Sequence, residues 1–565
     1  MKKFCVLAAV LGIAAVASVG LVACGSDGAG GSSGGGSGDA SSVTIGQASQ
    51  PDFLDPALSY TIHGWEPMWT VYTPLVTYKR EGGKASSEQM PGLAEDLPEV
   101  SADGKTYELT LRKGLEYSDG TPVKASDFEH TIKRVLNMES PGAPYFEVIE
   151  GADKYLSDGN AEADISGIET DDKTGEITIK LAEPEAAFSF VLAMNFAAIV
   201  PGDTPFENMT KDPPPGVGPY MFTKSVPNRE FVLERNPKFT EDTVPGVPVA
   251  ILDEVKTEII PSVPKQTQDV IDNELDFMQE PVAPDFIGEI LERFGPEGSE
   301  EQRYKEFTTL STYYFFLNTR VPPFDDPKVR EAVNLGLDKP ALARLFGGTL
   351  ETGCSFLPPG MPGYSEDLDG EGCPWGDPSQ PPDLEKAKQL IKEAGAEGAE
   401  VTVWGDNVDP TPKVTQAYAD QLNQMGLDAT PKIVDGGVYF QTIGNEDTEA
   451  QTGFLNWFGD FPHPANFFFL VDGNTIQPTN NQNMSNVDDP KINKELEELG
   501  KEPDVTKVTD RWEALNEYLV GQAYLVPYGY RKLSTFMSER MNFEDCTPIN
   551  PVIYNDYSQW CLKDE

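Results

Sequence analysis

Histidine, serine and acidic side chains are the groups with which this chain could carry out hydrolysis. The 565 residues include three histidines, His63, His130 and His463, and none stands in an H-E-x-x-H zinc pattern. Outside a Gly/Ser-rich stretch near the N-terminus, no serine occupies a G-x-S-x-G nucleophile turn. The 92 Asp and Glu residues offer many carboxylate pairs, but no spacing singles one out. A surface hydrolase is therefore a weak alternative, and we expect no catalytic residue, metal site or cofactor.

Cys24 is the residue at which the sequence indicates covalent modification. Two lysines precede an apolar run over residues 4–19, and Leu21-Val22-Ala23 leads into Cys24. The apolar run is shorter than the roughly 20 residues of a membrane span, and small residues before a cysteine resemble a bacterial lipoprotein signal. We predict a signal peptide over 1–23, lipidation of Cys24 and a flexible Gly/Ser tether over 24–42. An uncleaved N-terminal anchor is the alternative interpretation. Both interpretations place the bulk of the chain outside the membrane.

Four further cysteines remain after Cys5 and Cys24 are set aside: Cys354, Cys373, Cys546 and Cys561. An even number in an oxidising compartment predicts disulfides. Four cysteines allow three pairings, of which the two local pairs would close loops of about 15 to 20 residues, each worth roughly 3 kcal/mol. Zinc binding is the competing interpretation, but no C-x-x-C spacing occurs.

Size and charge narrow the class of protein. About 520 residues follow the tether, and a chain of that length is expected to form two or three domains. The formal net charge of −49 argues against nucleic acid as a partner, and an anionic lipid surface would repel the chain. We therefore attribute membrane attachment to the lipid on Cys24, and the acidity to a solvated surface.

Several segments alternate strand and helix, which predicts an α/β fold. Residues 401–404 form a short β-type run, a helix capped by Thr411 follows, and residues 427–434 return as a strand, which together make a βαβ unit. Asp383 and Asp326 are predicted caps of two further helices. Residues 107–111 and 177–181 alternate polar and apolar side chains, which predicts strands.

Sequence blocks along nearly the whole chain resemble one family. LDPALSY at 54–60 and the segment 91–128 open the series, and GVGPYMF at 216–222 and LERNPKF at 233–239 continue it. The segments 313–342 and 455–468, the latter reading LNWFGDFPHPANFF, follow in the same order. Together they resemble the dipeptide, oligopeptide and nickel group (family 5) of extracellular solute-binding proteins that serve ABC importers, and most of all its oligopeptide-binding members.

The resemblance implies a two-lobed periplasmic-binding-protein fold of type II (cluster C) with an additional third domain. On this pattern domain I comprises 43–85, 200–308 and 526–565, domain II comprises 86–199, and domain III comprises 309–525. Ligand is enclosed when the two lobes close about their connecting strands. The resemblance also implies a monomeric, extracytoplasmic receptor that passes its ligand to ABC permease subunits in the membrane.

The same family pattern assigns binding roles. In peptide-binding members, an aspartate three residues after a tryptophan pairs with the peptide's α-ammonium group, a spacing that Trp457 and Asp460 reproduce. The backbone from Leu455 to Phe458 would pair with an extended peptide as an added strand. We therefore predict ligand contacts from Leu455, Trp457, Phe458, Gly459 and Asp460, and from the aromatic side chain of Tyr439.

The sequence departs from the family pattern at two positions. Pro51, just before the Leu54-Asp55-Pro56 block, lacks an N–H where the family chain runs beside the ligand. Some members use an arginine three residues before the tryptophan to bind the peptide carboxylate, and here that residue is Phe454. A short peptide with a free carboxylate is therefore in doubt. A nickel chelate or haem is one alternative ligand, which His63 and His463 favour and Asp460 disfavours. A longer peptide or a different amine-bearing solute also remains compatible with the sequence.

Overall fold

The structure is a computed structural model that describes residues 41–82, 87–161, 163–283, 285–299, 301–550, 552 and 554–563. The predicted signal peptide, the lipidation site Cys24 and all but the last residues of the predicted tether lie outside the described residues.

Strands and helices alternate along the described chain. The strands are β1 Ser42–Gln47, β2 Val76–Tyr78, β3 Gln89–Pro91, β4 Glu99–Val100, β5 Thr106–Thr110, β6 Ile168–Asp171, β7 Glu176–Lys180, β8 Tyr220–Val226, β9 Glu230–Arg235, β10 Glu254–Ile259, β11 Phe277–Met278, β12 Tyr304–Thr308, β13 Ser311–Leu317, β14 Leu350–Thr352, β15 Glu400–Asp406, β16 Asp428–Val434, β17 Thr452–Phe458, β18 Leu525–Phe536, β19 Ile549–Asn550 and β20 Tyr554–Asn555. The α-helices are α1 Ile62–Val71, α2 Ser126–Asn137, α3 Ala143–Phe146, α4 Ala152–Asp158, α5 Phe188–Val191, α6 Val263–Ile271, α7 Ile287–Phe294, α8 Pro327–Gly336, α9 Lys339–Arg344, α10 Leu384–Glu393, α11 Thr411–Met425, α12 Tyr439–Ile443, α13 Ala465–Phe468, α14 Pro490–Leu499 and α15 Thr509–Gly521.

Three sheets of four or more strands organise these elements, and β2 with β3 and β19 with β20 form two further two-stranded sheets. A five-stranded sheet has the order β11-β1-β10-β9-β8, and a four-stranded antiparallel sheet has the order β4-β5-β7-β6. The largest sheet runs β12-β18-β13-β17-β15-β16, and β14 also pairs with β18. Within it β15 is parallel to both β16 and β17, whereas β13 is antiparallel to β17 and β18. The strand β17 therefore lies inside the largest sheet, between an antiparallel and a parallel neighbour.

Local sequence signals account for the elements around β17. The βαβ unit forms as predicted, since β15 and β16 pair in parallel on either side of α11. Asp326 and Asp383 cap α8 and α10 by accepting hydrogen bonds from the backbone N–H groups of the first turns. The predicted cap Thr411 is wrong by one residue, because Pro410 is the cap and Thr411 is a buried residue of the first turn.

The buried side chains form three clusters. The largest includes residues of the four-stranded sheet, such as Ile177, and of the largest sheet, such as Phe315. There Phe315 stacks on Tyr418 of α11, with ring centroids 3.7 Å apart, and this contact ties the helix to the middle of the sheet. The second cluster packs around Val255 and the five-stranded sheet, and the third includes α6 and α7. Each sheet is thus supported on a core of apolar side chains.

Two disulfides join the four cysteines in local pairs, Cys354 with Cys373 and Cys546 with Cys561. Their sequence separations are 19 and 15 residues, within the range expected for the local pairing. In the part of the chain that the structure describes, no helix is both long and apolar enough to cross a membrane.

Candidate ligand-binding site

The site is built on the strand β17, which is fully paired on one side only. Its pairing with β13 is antiparallel and continuous, from Thr452 opposite Leu317 to Phe458 opposite Ser311. Its pairing with β15 on the other side involves only Thr452 and Gly453. Beyond Gly453, no other strand of the described residues pairs with this second side, and β17 presents an open edge from Phe454 onward.

A hydrogen bond identifies which backbone groups face the open edge. The hydroxyl of Tyr439 donates to the carbonyl oxygen of Phe454 at 2.7 Å, so the backbone groups of Phe454 point away from β13. In an antiparallel pair, residues alternate between those that exchange hydrogen bonds with the partner strand and those that do not. The N–H and C=O groups of Asn456 and Phe458 therefore point to the open side, whereas those of Leu455 and Trp457 point toward β13.

The carboxylate of Asp460 follows the open edge and is bonded to three neutral donors. Tyr60 donates its hydroxyl hydrogen to Oδ1 at 2.8 Å, and Tyr145 donates to Oδ2 at 2.6 Å. Asn466 donates its side-chain amide to Oδ2 at 3.0 Å and accepts from the Asp460 backbone N–H at 2.8 Å. Asn466 lies six residues after Asp460, whereas Tyr60 and Tyr145 lie 400 and 315 residues before it, so tertiary folding brings two of the three donors to this site.

Burial dominates the electrostatics of Asp460, which is only 7% exposed. Desolvation raises the pKa of this carboxyl group, and the hydrogen bonds from Tyr145, Asn466 and Tyr60 lower it by a smaller amount. Burial of the hydroxyl groups and the adjacent Asp460 charge raise the pKa of both Tyr60 and Tyr145, which remain neutral donors. Among the described residues, no lysine, arginine or histidine forms an ion pair with Asp460. The site therefore holds a buried acid without a positive partner.

A cavity of about 310 Å³ adjoins this acid and the open edge. Its wall is mostly apolar or aromatic, with a few neutral polar side chains, and Asp460 is its one charged member among the described residues. The lining residues are Tyr60, Ile62, Trp65, Tyr314, Phe440, Leu455, Asn456, Trp457, Phe458, Gly459, Asp460, Leu470, Gln482, Met484, Val552 and Tyr554. An apolar cavity with a few directed polar groups is the usual form of a small-ligand site.

Five of the six predicted contact residues lie together in this wall: Leu455, Trp457, Phe458, Gly459 and Asp460. Trp457 is held in place by Asn466, which accepts its indole N–H at 3.2 Å, and by an edge-on contact with Phe469. The prediction for Tyr439 requires correction, because this side chain is fully buried behind the wall and bonds to backbone carbonyls. The next residue of α12, Phe440, lines the cavity instead.

Sequence reasoning missed several residues that complete the site. Tyr145 and Asn466 bond to Asp460, and Trp65 and Tyr554 contribute aromatic wall. Tyr60 ends LDPALSY, the first of the blocks that carry the family resemblance. Tyr145 lies 315 residues before Asp460 in a four-residue helix, α3, and no sequence motif marks it.

The three histidines do not line the cavity. His463 is buried, its Nδ1 accepts the backbone N–H of Ala465, and desolvation lowers its pKa to about 3. His63 lies 3.2 Å from Glu280, and His130 bonds to the Thr204 carbonyl. No group of three or more His, Cys, Asp or Glu side chains in the described ranges is arranged to hold a metal ion. The histidines therefore offer no ligand set for a bound chelate or haem in this cavity.

A cavity that combines a buried acid with an open strand edge is typical of a protein that binds a solute. Residues 88–478 match the family of bacterial extracellular solute-binding proteins, family 5, and the chain belongs to this family. It has the mixed α/β, type II periplasmic-binding-protein fold.

Particular relatives support this assignment. The chain is 29% identical over 419 residues to the dipeptide-binding protein of Escherichia coli (strain K12), a match that covers 70% of this chain and 72% of that protein. It is 25% identical over 424 residues to heme-binding protein A of Haemophilus influenzae, which covers 72% of each chain. The structure called clavulanic acid biosynthesis oligopeptide binding protein 2 has the same fold, with a TM-score of 0.82 at 24% identity over 93% of this chain and 96% of that one.

Proposed function

We propose that this protein is the substrate-binding receptor of an ABC importer and that it binds peptides through their N-terminal ammonium group. The observation that carries this proposal is the buried Asp460 carboxylate, which faces the cavity with neutral donors only. A buried carboxylate is costly unless a positive charge compensates it. A ligand ammonium would supply that charge, and its hydrogen bonds to a carboxylate would be roughly twice as strong as neutral ones.

The open edge of β17 supports an extended peptide as the ligand. The outward N–H and C=O groups of Asn456 and Phe458 are available for pairing beside the cavity. A peptide added as a strand is recognised through its main chain, and its side chains meet the mostly apolar wall. The peptide and dipeptide names of relatives agree with this ligand class.

An amine-bearing solute other than a peptide is the second candidate. A relative named heme-binding protein A shows that the names of similar proteins are not limited to peptides, although haem itself carries no amine. The three histidines lie outside the wall, and such a ligand would also depend on Asp460. Without a main chain, it would not use the open edge.

The remaining parts of the proposal concern location and organisation. We infer cleavage after residue 23, lipidation of Cys24 and a monomer tethered by residues 24–42 to the outer face of the cell membrane, where it meets the permease. We assign domain I to 43–85, 200–308 and 526–565, domain II to 86–199 and domain III to 309–525. The protein would act without catalysis, because its work is capture and delivery.

Binding of pooled peptides is the experiment that tests this function. Thermal unfolding of the full-length protein is measured with neutral peptide pools, with nickel chelates and with haem. We expect peptides to raise the unfolding temperature, because a ligand that binds only the folded state stabilises it. Stabilisation by chelates or haem and not by peptides would refute the peptide assignment.

A matched pair of variants tests the role of Asp460. Asp460→Asn removes the buried charge, whereas Asp447→Asn removes a charge from an exposed residue outside the cavity wall. We expect Asp460→Asn to weaken free-amine peptides by about 2 kcal/mol or more, which is at least about 30-fold in Kd. N-acetylated peptides should bind weakly to both variants and to the wild type alike. Equal losses for free and acetylated peptides would contradict the role of Asp460.

A further inference from the structure

The cavity wall has a one-sided charge. Among the described residues in the wall, Asp460 is the one carboxylic acid, and no lysine, arginine or histidine accompanies it. The other polar side chains, including Asn456 and Gln482, are neutral amides, and the remaining hydroxyls belong to tyrosines. The side chains of the wall can therefore compensate a positive charge on a ligand, through Asp460, but not a negative charge.

Three basic residues outside the wall have other partners. Arg531 donates to the side chain and carbonyl of Thr349, and its charge acts on the buried Tyr313. Lys432 lies on the edge strand β16 with its ammonium 3.9 Å from the centre of the Trp404 ring. His63 is paired with Glu280. Phe454, at the position where an arginine would reach the ligand, is buried in the core.

Placing a carboxylate in this cavity has two costs. The group loses its hydration without gaining a charged partner, and Asp460 repels it across a space from which water is displaced. The wall also reaches solvent, since Phe440 both lines the cavity and is 42% exposed.

We propose that the cavity excludes the ligand's carboxylate, so that its ligands are amines without a carboxylate or peptides long enough to place the C-terminus in solvent. This inference rests on the proposed function and narrows its ligand class. It distinguishes ligands by whether their carboxylate lies inside the cavity or in solvent. Dipeptides, whose two charged ends are close together, are predicted to be poor ligands in the free-acid form.

Acid and amide pairs of increasing length test the inference. The full-length protein is titrated calorimetrically at pH 6.5 with peptides of two to six neutral residues, each as the free acid and as the C-terminal amide. At this pH the α-ammonium group is protonated in both forms. We expect the dipeptide amide to bind at least about tenfold more tightly than the acid. The difference should fall below about twofold at five or six residues, where solvent and salt screen the terminal charge.

Two variants separate the possible reasons for an effect. In Asp460→Asn both forms should weaken, and the ratio between dipeptide acid and amide should shrink because the repulsion is gone. Arg531→Gln should leave that ratio unchanged. Equal affinity of dipeptide acid and amide in the wild type, or a selective loss of the acid in Arg531→Gln, would overturn the inference. If neither form binds at any length while an unrelated solute does, the peptide function itself fails, which is a different result.

Discussion

The hydrogen bond from Tyr145 to Asp460 gives a stability prediction that the structure can quantify. Tyr145→Phe removes one hydroxyl and retains the ring, which packs edge-on against Phe461. The lost bond is 2.6 Å long, as expected for a hydroxyl bonded to a carboxylate. Hydrogen bonds to charged groups contribute about 1.5–3 kcal/mol. Because Tyr145 is only half-buried, we expect a decrease near the lower end, about 2 kcal/mol, in the free energy of unfolding at pH 7.

Tyr528→Phe is the matched control. Its hydroxyl is buried and has no hydrogen-bond partner among the described residues, so its removal should cost nothing or stabilise slightly. Urea unfolding of the two variants, followed by fluorescence, gives the comparison directly. If Tyr145→Phe and Tyr528→Phe differ by less than about 0.5 kcal/mol, the donors around Asp460 do not stabilise its charge in the way we have argued. A double-mutant cycle with Asp460→Asn then measures the coupling itself.

Three further predictions concern pH and covalent structure. Burial raises the pKa of Asp460 in the folded state above its value in the unfolded state, so the folded state binds the proton more tightly. The free energy of unfolding should therefore fall as pH rises from the unfolded-state pKa to the folded-state pKa. Asp460→Asn should remove this pH dependence from urea midpoints measured between pH 4 and 7. Burial lowers the pKa of Lys339 to about 7, so the free energy of unfolding should rise with pH from about 7 toward the usual lysine pKa. Lys339→Met should stabilise the protein at pH 6 and flatten this rise. If the rise is unchanged in Lys339→Met, Lys339 is not its source. Replacing Cys354 and Cys373 by serine should lower the free energy of unfolding by about 3 kcal/mol, which is the value that the loop-entropy relation gives for their separation of 19 residues. A loss below about 1 kcal/mol would contradict the loop-entropy explanation.

The elements around the site were predictable because their signals are local. Asp326 and Asp383 mark the starts of two helices, because their carboxylates accept hydrogen bonds from backbone N–H groups within the first turn. Thr411 misled the prediction because a threonine near a helix start is as well suited to a buried first-turn position as to a cap. The parallel pairing of β15 and β16 followed from a strand, a helix and a strand in sequence.

The site was predictable only where it is contiguous in sequence. Residues 455–460 form one stretch at the end of β17, and that stretch lines the cavity as a unit. Tyr145 and Tyr60 reach Asp460 across 315 and 400 residues, and no pattern in the sequence encodes such a contact. The error at Tyr439 has a similar origin, because one residue along a short helix turns a side chain from the core to the cavity.

If a peptide pairs with the open edge of β17, the hydrogen bond from Tyr439 to the Phe454 carbonyl would fix its alignment. It occupies the first outward carbonyl of the edge, so the two residues that follow on that side, Asn456 and Phe458, provide two N–H and two C=O groups for pairing. A peptide whose amine is held at Asp460 cannot shift by two residues without leaving one end unpaired. Tyr439, which does not line the cavity as predicted, would thus set the register in which successive residues of a peptide pair with β17.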